Sequence, residues 1–307
     1  MKAKQFRASS HRVAFGLLSP AIVVSLVVLV IPMLLGVYIA TKSVTQTTIL
    51  DWVNAGDIGL RNFYRVLDPA NPIGTAFYSS ILTTLRYGVI SKVLHFTLGL
   101  IGAIVVNRKF KGRLFFQTLF LIPLAIPSFI SAIGWRFMFL REWGLVNHLL
   151  VDVFGILSER PFWLVGDNAL AAVVTAQVWK GWAFHYLMIF ASLKGVPQEL
   201  YEAVEIDGGG RFTKFWHVTI QHIKPILKVL LVVNGLRILN EFDTVFVMIG
   251  QRPPASVNVI SVQVYNQAFV NWNFGLASAM GAVWLITLVL MATALAKLTR
   301  IYRTEGI

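Results

Sequence analysis

Long apolar segments alternate with short polar ones along most of this chain. Six of the segments reach the length of about 20 residues that an α-helix needs to cross a bilayer. They cover residues 13–40, 79–106, 114–140, 169–193, 226–249 and 274–296. The pattern therefore predicts an all-α membrane protein with about six transmembrane helices. We expect one membrane domain over residues 13–296, with short tails at 1–12 and 297–307.

The third predicted span contains two prolines, Pro123 and Pro127. Proline lacks the backbone N–H of other residues and bends a helix. In lipid, the carbonyl groups freed by such a bend need a partner from a neighbouring helix or from water. We therefore expect a kinked helix whose prolines shape the packing around it.

The fifth predicted span has the most polar centre of the six. It holds Asn234, Arg237, Asn240, Glu241 and Asp243. Each charge at the centre of a bilayer costs roughly 2.5–3.5 kcal/mol on insertion scales. Arg237 and Glu241 stand four residues apart, so they can neutralise each other on one helix face. The helix is expected to face protein or a watery cavity, as a structural ion pair, as the wall of a solute pathway, or as both.

The fourth predicted span carries the sequence WKGW at 179–182. Lys180 lies near the middle of the span and needs a carboxylate, carbonyl groups or water as its partner. The two flanking tryptophans either stack on a sugar ring or pack between helices. We assign a candidate solute pathway to residues of the fourth and fifth spans, namely Trp179, Lys180, Trp182, Asn240, Glu241 and Asp243.

The composition fits a membrane protein, since 56% of the 307 residues are hydrophobic and only 13% are charged. The net charge of +13 would by itself also suit a protein that binds nucleic acid. Lys and Arg, however, concentrate in the segments 1–12, 107–113, 194–225 and 297–307. This is the positive-inside bias of a multi-pass protein, and it predicts that both termini are cytoplasmic. Contact with anionic membrane lipid accounts for most of the basic excess, so nucleic acid is not expected as a partner.

Between the fourth and fifth predicted spans lies a segment unlike its surroundings, YEAVEIDGGGRFTKFWHVTI at 201–220. The Val-Pro pair at 196–197 favours the start of a helix. The run DGGG at 207–210 favours the end of that helix, because glycine accepts a positive φ. A second helix is expected from about residue 211 and should end before Pro225.

These elements predict a helix-turn-helix hairpin over residues 197–225, on the cytoplasmic side by the charge rule. Its first helix carries an acidic stripe of Glu199, Glu202 and Glu205. One face of its second helix groups three aromatic side chains, Phe212, Phe215 and Trp216. An anionic inner leaflet would repel the glutamates, so a protein groove suits the hairpin better than lipid headgroups do.

The hairpin resembles the signature loop of the permeases of bacterial ATP-binding cassette (ABC) importers. The pattern of that family runs Glu-Ala-Ala, three residues, Gly, nine residues and then Ile-x-Leu-Pro. This chain aligns with it at Glu202-Ala203-Val204 and Asp207-Gly208, but has Gln221-His222 where Leu-Pro is usual. The stretch LMIFASLKGVPQELYEAVEIDGGG is most similar to the maltose-type carbohydrate uptake family. The resemblance extends over nearly the whole chain, including WGLVNHLL at 143–150 and NFGLASAM at 273–280.

The resemblance implies that the hairpin is a coupling loop, which docks in a cleft of a separate ABC ATPase. The residues implied in that docking are Glu202, Ala203, Asp207, Gly208, Phe212, Phe215 and Trp216. Glu202 would pair with a basic residue of the ATPase, Gly208 would permit the turn, and the aromatic residues would be buried anchors. Closure of the ATPase around ATP would then move the spans from inward-open to outward-open.

The resemblance also implies the assembly in which this chain works, in the bacterial cytoplasmic membrane. Its partners would be a second, related permease subunit, two copies of the ATPase and an extracytoplasmic solute-binding protein. ATP and Mg²⁺ would bind to the ATPase, so this chain would bind no cofactor. The transported solute would be a sugar or a sugar-like compound; oligosaccharide, polyol and phosphorylated polyol all remain open.

The residues themselves show no catalytic, nucleotide or metal site. The phosphate-loop pattern GxxxxGK[ST] is absent, and the glycines at 208–210 follow a predicted helix rather than a strand. The chain has no cysteine and its six histidines stand far apart in the sequence, so no metal site is expected. The alternative function is a stand-alone ion-coupled transporter with Glu241 and Asp243 as ion ligands. Such transporters usually show two related halves, which this sequence does not.

Overall fold

The structure, a computed structural model, describes Val13 and residues 16–299. The predicted tail at 1–12 lies outside the described residues, as does the part of the predicted tail 297–307 that follows Thr299. Within the described range the chain is helical apart from loops and two isolated β-bridges. The predicted all-α class is confirmed.

The first half of the described chain forms seven α-helical elements, several of them short, and a 3₁₀ turn at Ile49–Asp51. The α-helical elements are α1 (Gly16–Ala40), α2 (Arg61–Leu67), α3 (Pro72–Asn107), α4 (Arg113–Leu119), α5 (Ile122–Ala125), α6 (Ser128–Met138) and α7 (Leu145–Asn147, continued by a π-helical turn His148–Val153).

The second half contains the hairpin and the last long helix. Its elements are α8 (Asn168–Lys194), α9 (Gln198–Ile206), α10 (Arg211–Thr213, continued through a π-helical turn Lys214–Thr219 into Ile220–Leu239), α11 (Asp243–Ile249), α12 (Ile260–Tyr265, continued by a π-helical turn Asn266–Val270) and α13 (Phe274–Thr299).

Three of the described helices are long and apolar enough to cross a membrane, namely α1, α3 and α13. A fourth candidate is the pair Arg113–Ala125 and Ser128–Met138, which bends by 96° at its break. The kink predicted from the prolines of the third span is therefore present, and it is sharp. The predicted fourth and fifth spans are also helical, as α8 and α10 with α11, but they are not among these candidates. The number of six spans stays a prediction.

One compact unit comprises the described residues up to Gly74 together with Gln267–Leu285. Asn62 organises its loop region, because its side-chain Nδ2 donates to the carbonyl oxygens of Ala40 at 2.9 Å and Lys42 at 3.2 Å. These bonds satisfy backbone groups at the end of α1, where the helix no longer does so.

The other compact unit comprises Thr75–Asn266 and the described residues from Ile286 to Thr299. Its core is built where α3, α8 and α10 pack together. The core side chains are apolar and almost fully buried: Ala103, Val106, Tyr186, Ile189, Leu193, Ile223 and Leu230. This unit contains the hairpin and the polar residues of the fourth and fifth predicted spans.

The sequence predicted that the second helix of the hairpin ends before Pro225, and this prediction was wrong. The helix continues through Pro225 to Leu239 and becomes the first part of the fifth predicted span. Proline removes one backbone donor from a helix interior, but Ile223 and Leu230 are buried in the core on either side of it. Tertiary packing therefore holds the helix through a residue that would end an isolated one.

Candidate functional site

The turn of the hairpin depends on Gly208. Helix α9 follows Pro197 and ends at Ile206, and Gly208 then adopts a φ of +75°. The chain closes the turn with a hydrogen bond of 2.8 Å from the Gly209 N–H to the Val204 carbonyl oxygen. A left-handed residue at this point is typical of a helix C-terminus, and glycine adopts it without steric cost. The predicted role of Gly208 in the turn is thus seen in the backbone.

Two side-chain contacts join the helices of the hairpin. Lys214 Nζ donates to Glu205 Oε2 at 2.7 Å, and the hydroxyl groups of Tyr201 and Thr219 lie 3.0 Å apart. The Lys214 ammonium, as a hydrogen-bond donor and as a charge, lowers the pKa of the Glu205 carboxyl below its ordinary value. Glu205 therefore serves the hairpin internally, and Glu199 and Glu202 of the acidic stripe stay exposed.

The outer surface of the hairpin presents unpaired acidic and apolar groups. Glu202, Ala203 and Asp207 are exposed, and the Glu202 side chain forms no hydrogen bond or ion pair with any other residue of the described range. Ile206 is 87% exposed and Phe212 77%, although both are large and apolar. Exposed hydrophobic side chains beside charges are typical of a protein-binding surface.

The three aromatic residues of the hairpin touch one another but differ in exposure. The Trp216 ring lies 6.1 Å from Phe212 and 5.3 Å from Phe215, measured between ring centroids. Phe215 is half-buried within the chain, whereas Phe212 and Trp216 are exposed. The structure thus leaves two of the three predicted anchors available to a partner.

Lys180 caps the bend of the third predicted span. Its Nζ donates to the carbonyl oxygen of Pro123 at 2.8 Å and also to that of Ile126. The Pro123 carbonyl has no helical donor, because the residue four positions later is Pro127, which lacks an N–H. The partner that the sequence required for Lys180 is therefore a set of backbone carbonyls, and one residue resolves both problems.

Glu241 is engaged as a helix cap. Its Oε1 accepts hydrogen bonds from the backbone N–H of Thr244 at 3.1 Å and from the Thr244 hydroxyl at 2.7 Å. The side-chain oxygen of Gln177, on α8, lies 3.1 Å from the same hydroxyl. Asp243 is exposed at the start of α11. A capping carboxylate is a structural device, and it weakens the alternative in which Glu241 is an ion ligand.

The expected neutralisation of Arg237 by Glu241 is not observed, since the two form no ion pair. The reason is local, because α10 ends at Leu239 and Asn240 turns the chain. The four-residue spacing on one helix face is therefore lost before Glu241 is reached. Both side chains instead line a cavity of about 80 Å³, together with Lys180 and Gln177. A space of this size accepts a few water molecules among polar groups.

The two tryptophans of WKGW pack against other aromatic rings. Trp179 meets Trp135 at 6.0 Å between centroids, and Trp182 meets Phe120 at 5.0 Å and Tyr186 at 6.1 Å. This is the helix-packing interpretation of the motif. Their part in a solute pathway stays a prediction.

A buried polar cluster between α3 and α8 was missed by the sequence analysis. Lys92 Nζ lies 3.1 Å from His185 Nε2, and His185 Nδ1 lies 3.1 Å from the carbonyl oxygen of Gly181. His95 Nε2 lies 3.0 Å from the carbonyl oxygen of Gln177. The arrangement assigns the Nδ1 proton to His185 and the Nε2 proton to His95, so that each donor has an acceptor.

The two histidines are distant in sequence, yet their rings lie 5.1 Å apart. Glycine makes this possible, because a Cβ on residue 181 would overlap the His95 ring and a Cβ on residue 99 would lie 2.7 Å from the His185 Cβ. Small residues in predicted spans indicate where two helices can approach closely, so Gly99 and Gly181 were the sequence signal for this contact. In the part of the chain that the structure describes, no group of three or more His, Asp or Glu side chains is placed to hold a metal ion.

Comparison with known proteins identifies a family and several relatives. The family described as "binding-protein-dependent transport system inner membrane component" matches residues 95–300. The trehalose/maltose transport system permease protein MalF of Thermococcus litoralis is 34% identical over 236 residues, which cover 76% of each chain. The sn-glycerol-3-phosphate transport system permease protein UgpA of Agrobacterium fabrum is 29% identical over 259 residues, which cover 83% of this chain and 85% of UgpA.

A solved structure shares the fold. The bacterial alginate ABC transporter, in complex with an alginate pentasaccharide-bound periplasmic protein, contains a chain that superposes with a TM-score of 0.78. The match covers 97% of this chain and 98% of that chain at 21% identity. At this identity the likeness establishes the fold alone.

Proposed function

The chain belongs to the family of binding-protein-dependent transport system inner membrane components, and we propose that it is the permease subunit of an ATP-driven importer for a sugar or sugar-like solute. The solute class is supported by the names of its relatives, which transport trehalose and maltose or sn-glycerol 3-phosphate. The permease lies in the bacterial cytoplasmic membrane as a multi-pass protein with both termini in the cytoplasm.

The hairpin over residues 197–225 is the observation that carries this proposal. It combines an unpaired Glu202, a left-handed Gly208 and exposed apolar side chains at the positions that match the signature loop. A soluble protein partner explains this surface better than lipid does, because anionic lipid repels the acidic stripe. We assign the docking of a separate ATPase to Glu202, Ala203, Asp207, Gly208, Phe212, Phe215 and Trp216.

In the proposed assembly this chain performs no catalysis. Two copies of the ATPase bind ATP and Mg²⁺, and one of them grips the hairpin. A second, related permease completes the membrane part, and an extracytoplasmic binding protein delivers the solute. Closure of the ATPase pair moves the hairpin, and α10 transmits that movement directly, because the second hairpin helix continues into the first part of the fifth predicted span.

The solute pathway is assigned to the polar residues of α8, α10 and α11. Lys180, Glu241 and Asn240 are closest to this role, because they belong to the polar interior of predicted spans. Trp179, Trp182 and Asp243 complete the predicted set. Lys180 and Glu241 also hold the local backbone, so substituting either one is expected to affect folding as well as transport.

Uptake of the solute into right-side-out membrane vesicles tests the coupling role of the hairpin. With the ATPase, the partner permease and the binding protein present, solute uptake should require ATP. Glu202→Ala should weaken ATPase docking by at least about tenfold, because truncating one partner of a buried charge pair costs roughly 2–5 kcal/mol. Gly208→Pro should abolish coupling, because proline cannot adopt a φ of +75°.

Two matched variants separate coupling from general damage. Gly210→Ala places a Cβ in open space at a negative φ, so it should leave uptake unchanged. Glu159→Ala removes an exposed carboxylate from a loop remote in sequence from the hairpin and should also be neutral. Uptake driven by an ion gradient without ATP would contradict the proposal. Normal uptake in both Glu202→Ala and Gly208→Pro would also contradict it.

A further inference from the structure

A cavity of about 490 Å³ lies between the hairpin and the ends of α3 and α8, and we call it the cavity behind the hairpin. Residues of both hairpin helices line it. Its lining combines three apolar residues, Ile104, Leu193 and Phe215, with six polar or basic ones: Asn107, Arg108, Tyr201, Arg211, Lys214 and Thr219. The docking and pathway assignments above use only Phe215 of this set.

The lining of this cavity is strongly basic. Arg108, Arg211 and Lys214 belong to it, and no carboxylate does. Lys214 pairs with Glu205, but the guanidinium groups of Arg108 and Arg211 form no hydrogen bond or ion pair with any other residue in the described range. Like charges gathered around one space repel one another, so an anion that enters the cavity relieves this repulsion.

A second cavity, of about 520 Å³, is also lined by basic residues. Arg113 and Lys194 line it, beside the aromatic residues Phe110 and Phe190. The Nε atom of Arg113 is buried and has no hydrogen-bond partner among the described residues. A buried guanidinium nitrogen without an acceptor is costly, so an anion would be stabilised in this second cavity too.

We propose that the cavity behind the hairpin binds a phosphate group. Two arginines and a lysine are the side chains that phosphate recognition requires, because a guanidinium donates two parallel N–H bonds to phosphate oxygens. The apolar lining residues Ile104, Leu193 and Phe215 suit the carbon skeleton attached to that phosphate. The group belongs either to the headgroup of an anionic phospholipid or to a soluble phosphate compound, and it ties the hairpin to the ends of α3 and α8.

Hydrogen exchange on the full chain in lipid nanodiscs tests this site. One set of discs contains phosphatidylcholine alone, and the other contains equal parts of phosphatidylcholine and phosphatidylglycerol. Amide exchange in residues 211–219 should be about tenfold slower in the anionic discs, since charge-assisted hydrogen bonds to phosphate hold the hairpin in place. Inorganic phosphate added to the phosphatidylcholine discs forms a second arm, and slowing in that arm alone assigns the site to a soluble phosphate.

Charge-matched variants make the test specific. Arg108→Gln with Arg211→Gln should remove the slowing, and replacement of both residues by Lys should restore part of it. Lys109→Gln with Lys111→Gln removes the same charge from the loop that contains Arg108, at residues that do not line the cavity, and should keep the slowing. Equal exchange rates in all three lipid and phosphate conditions, or equal loss in both Gln pairs, would overturn the proposal. The ATPase is absent from the experiment, so either result leaves the coupling role untouched.

Discussion

At the scale of single residues, Lys180 shows how a costly charge is made useful within a membrane. An ammonium group in a predicted span has few possible partners in lipid. The bend at Pro127 supplies them, because the freed carbonyls of Pro123 and Ile126 both accept from Nζ. The prolines and the lysine are separated by more than 50 residues, yet each removes the energetic penalty of the other.

Lys180→Met should destabilise the chain by about 1–3 kcal/mol, because it leaves buried carbonyl groups without a donor. The measurement is the midpoint of thermal unfolding in detergent, followed by tryptophan fluorescence. Lys224→Met, on the exposed surface of α10, is the control and should change little. A Lys180→Met protein as stable as the parent would show that water satisfies the bend instead.

At the scale of elements, α3 and α8 interlock through two glycine–histidine contacts. His185 packs closely against Gly99, and His95 packs closely against Gly181. Between helices in lipid there is little hydrophobic driving force, so close packing and hydrogen bonds stabilise the contact. Lys92 adds such a bond through His185, which places a buried polar cluster at the centre of the interlock.

Gly181→Ala should destabilise the pair of helices by about 1–3 kcal/mol, because the added methyl group overlaps the His95 ring. Gly235→Ala is the matched control. It adds the same methyl group to a helix where nothing lies within 4 Å, so it should be neutral or slightly stabilising. Thermal unfolding in detergent measures both, and equal midpoints for the two variants would show that the interlock yields without cost.

At the scale of the whole molecule, the exposed surface divides into apolar and polar helix faces. On α13 the exposed residues Ile286, Val289 and Leu290 form an apolar face that suits lipid. On α10, the exposed Arg237 lies one turn after the exposed Val233, in a region predicted to cross the bilayer. A charge there belongs against protein or water rather than lipid, so this face is the expected side of the partner permease.

The absence of cysteine makes this side testable by cross-linking. Val233→Cys should form cross-links with single-cysteine variants of the related permease, because α10 is expected to face that subunit. Leu290→Cys is the lipid-facing control and should form few. Cross-links of Val233→Cys that join only two copies of this chain would contradict the expected heterodimer.

Much of the architecture was predictable from the sequence because its signals are local. Apolar length located α1, α3 and α13, the prolines located the bend, and the glycines at 208–210 located the turn of the hairpin. The need of Lys180 for a partner was also predictable, since the cost of a charge in lipid does not depend on the fold. The predicted end of the hairpin before Pro225 was wrong, because core packing of Ile223 and Leu230 outweighs a local breaker.

The identity of each partner, by contrast, depended on contacts between distant segments. Periodicity places residues on a helix face, but helix crossings decide which faces meet. The sequence therefore required a partner for Lys180, and the fold chose the carbonyls of the bend. It paired Arg237 with Glu241 by spacing alone, whereas the chain turns at Asn240 and leaves Glu241 to cap α11. The His95–His185 cluster and the basic cavity behind the hairpin arise only when helices far apart in the chain are brought together.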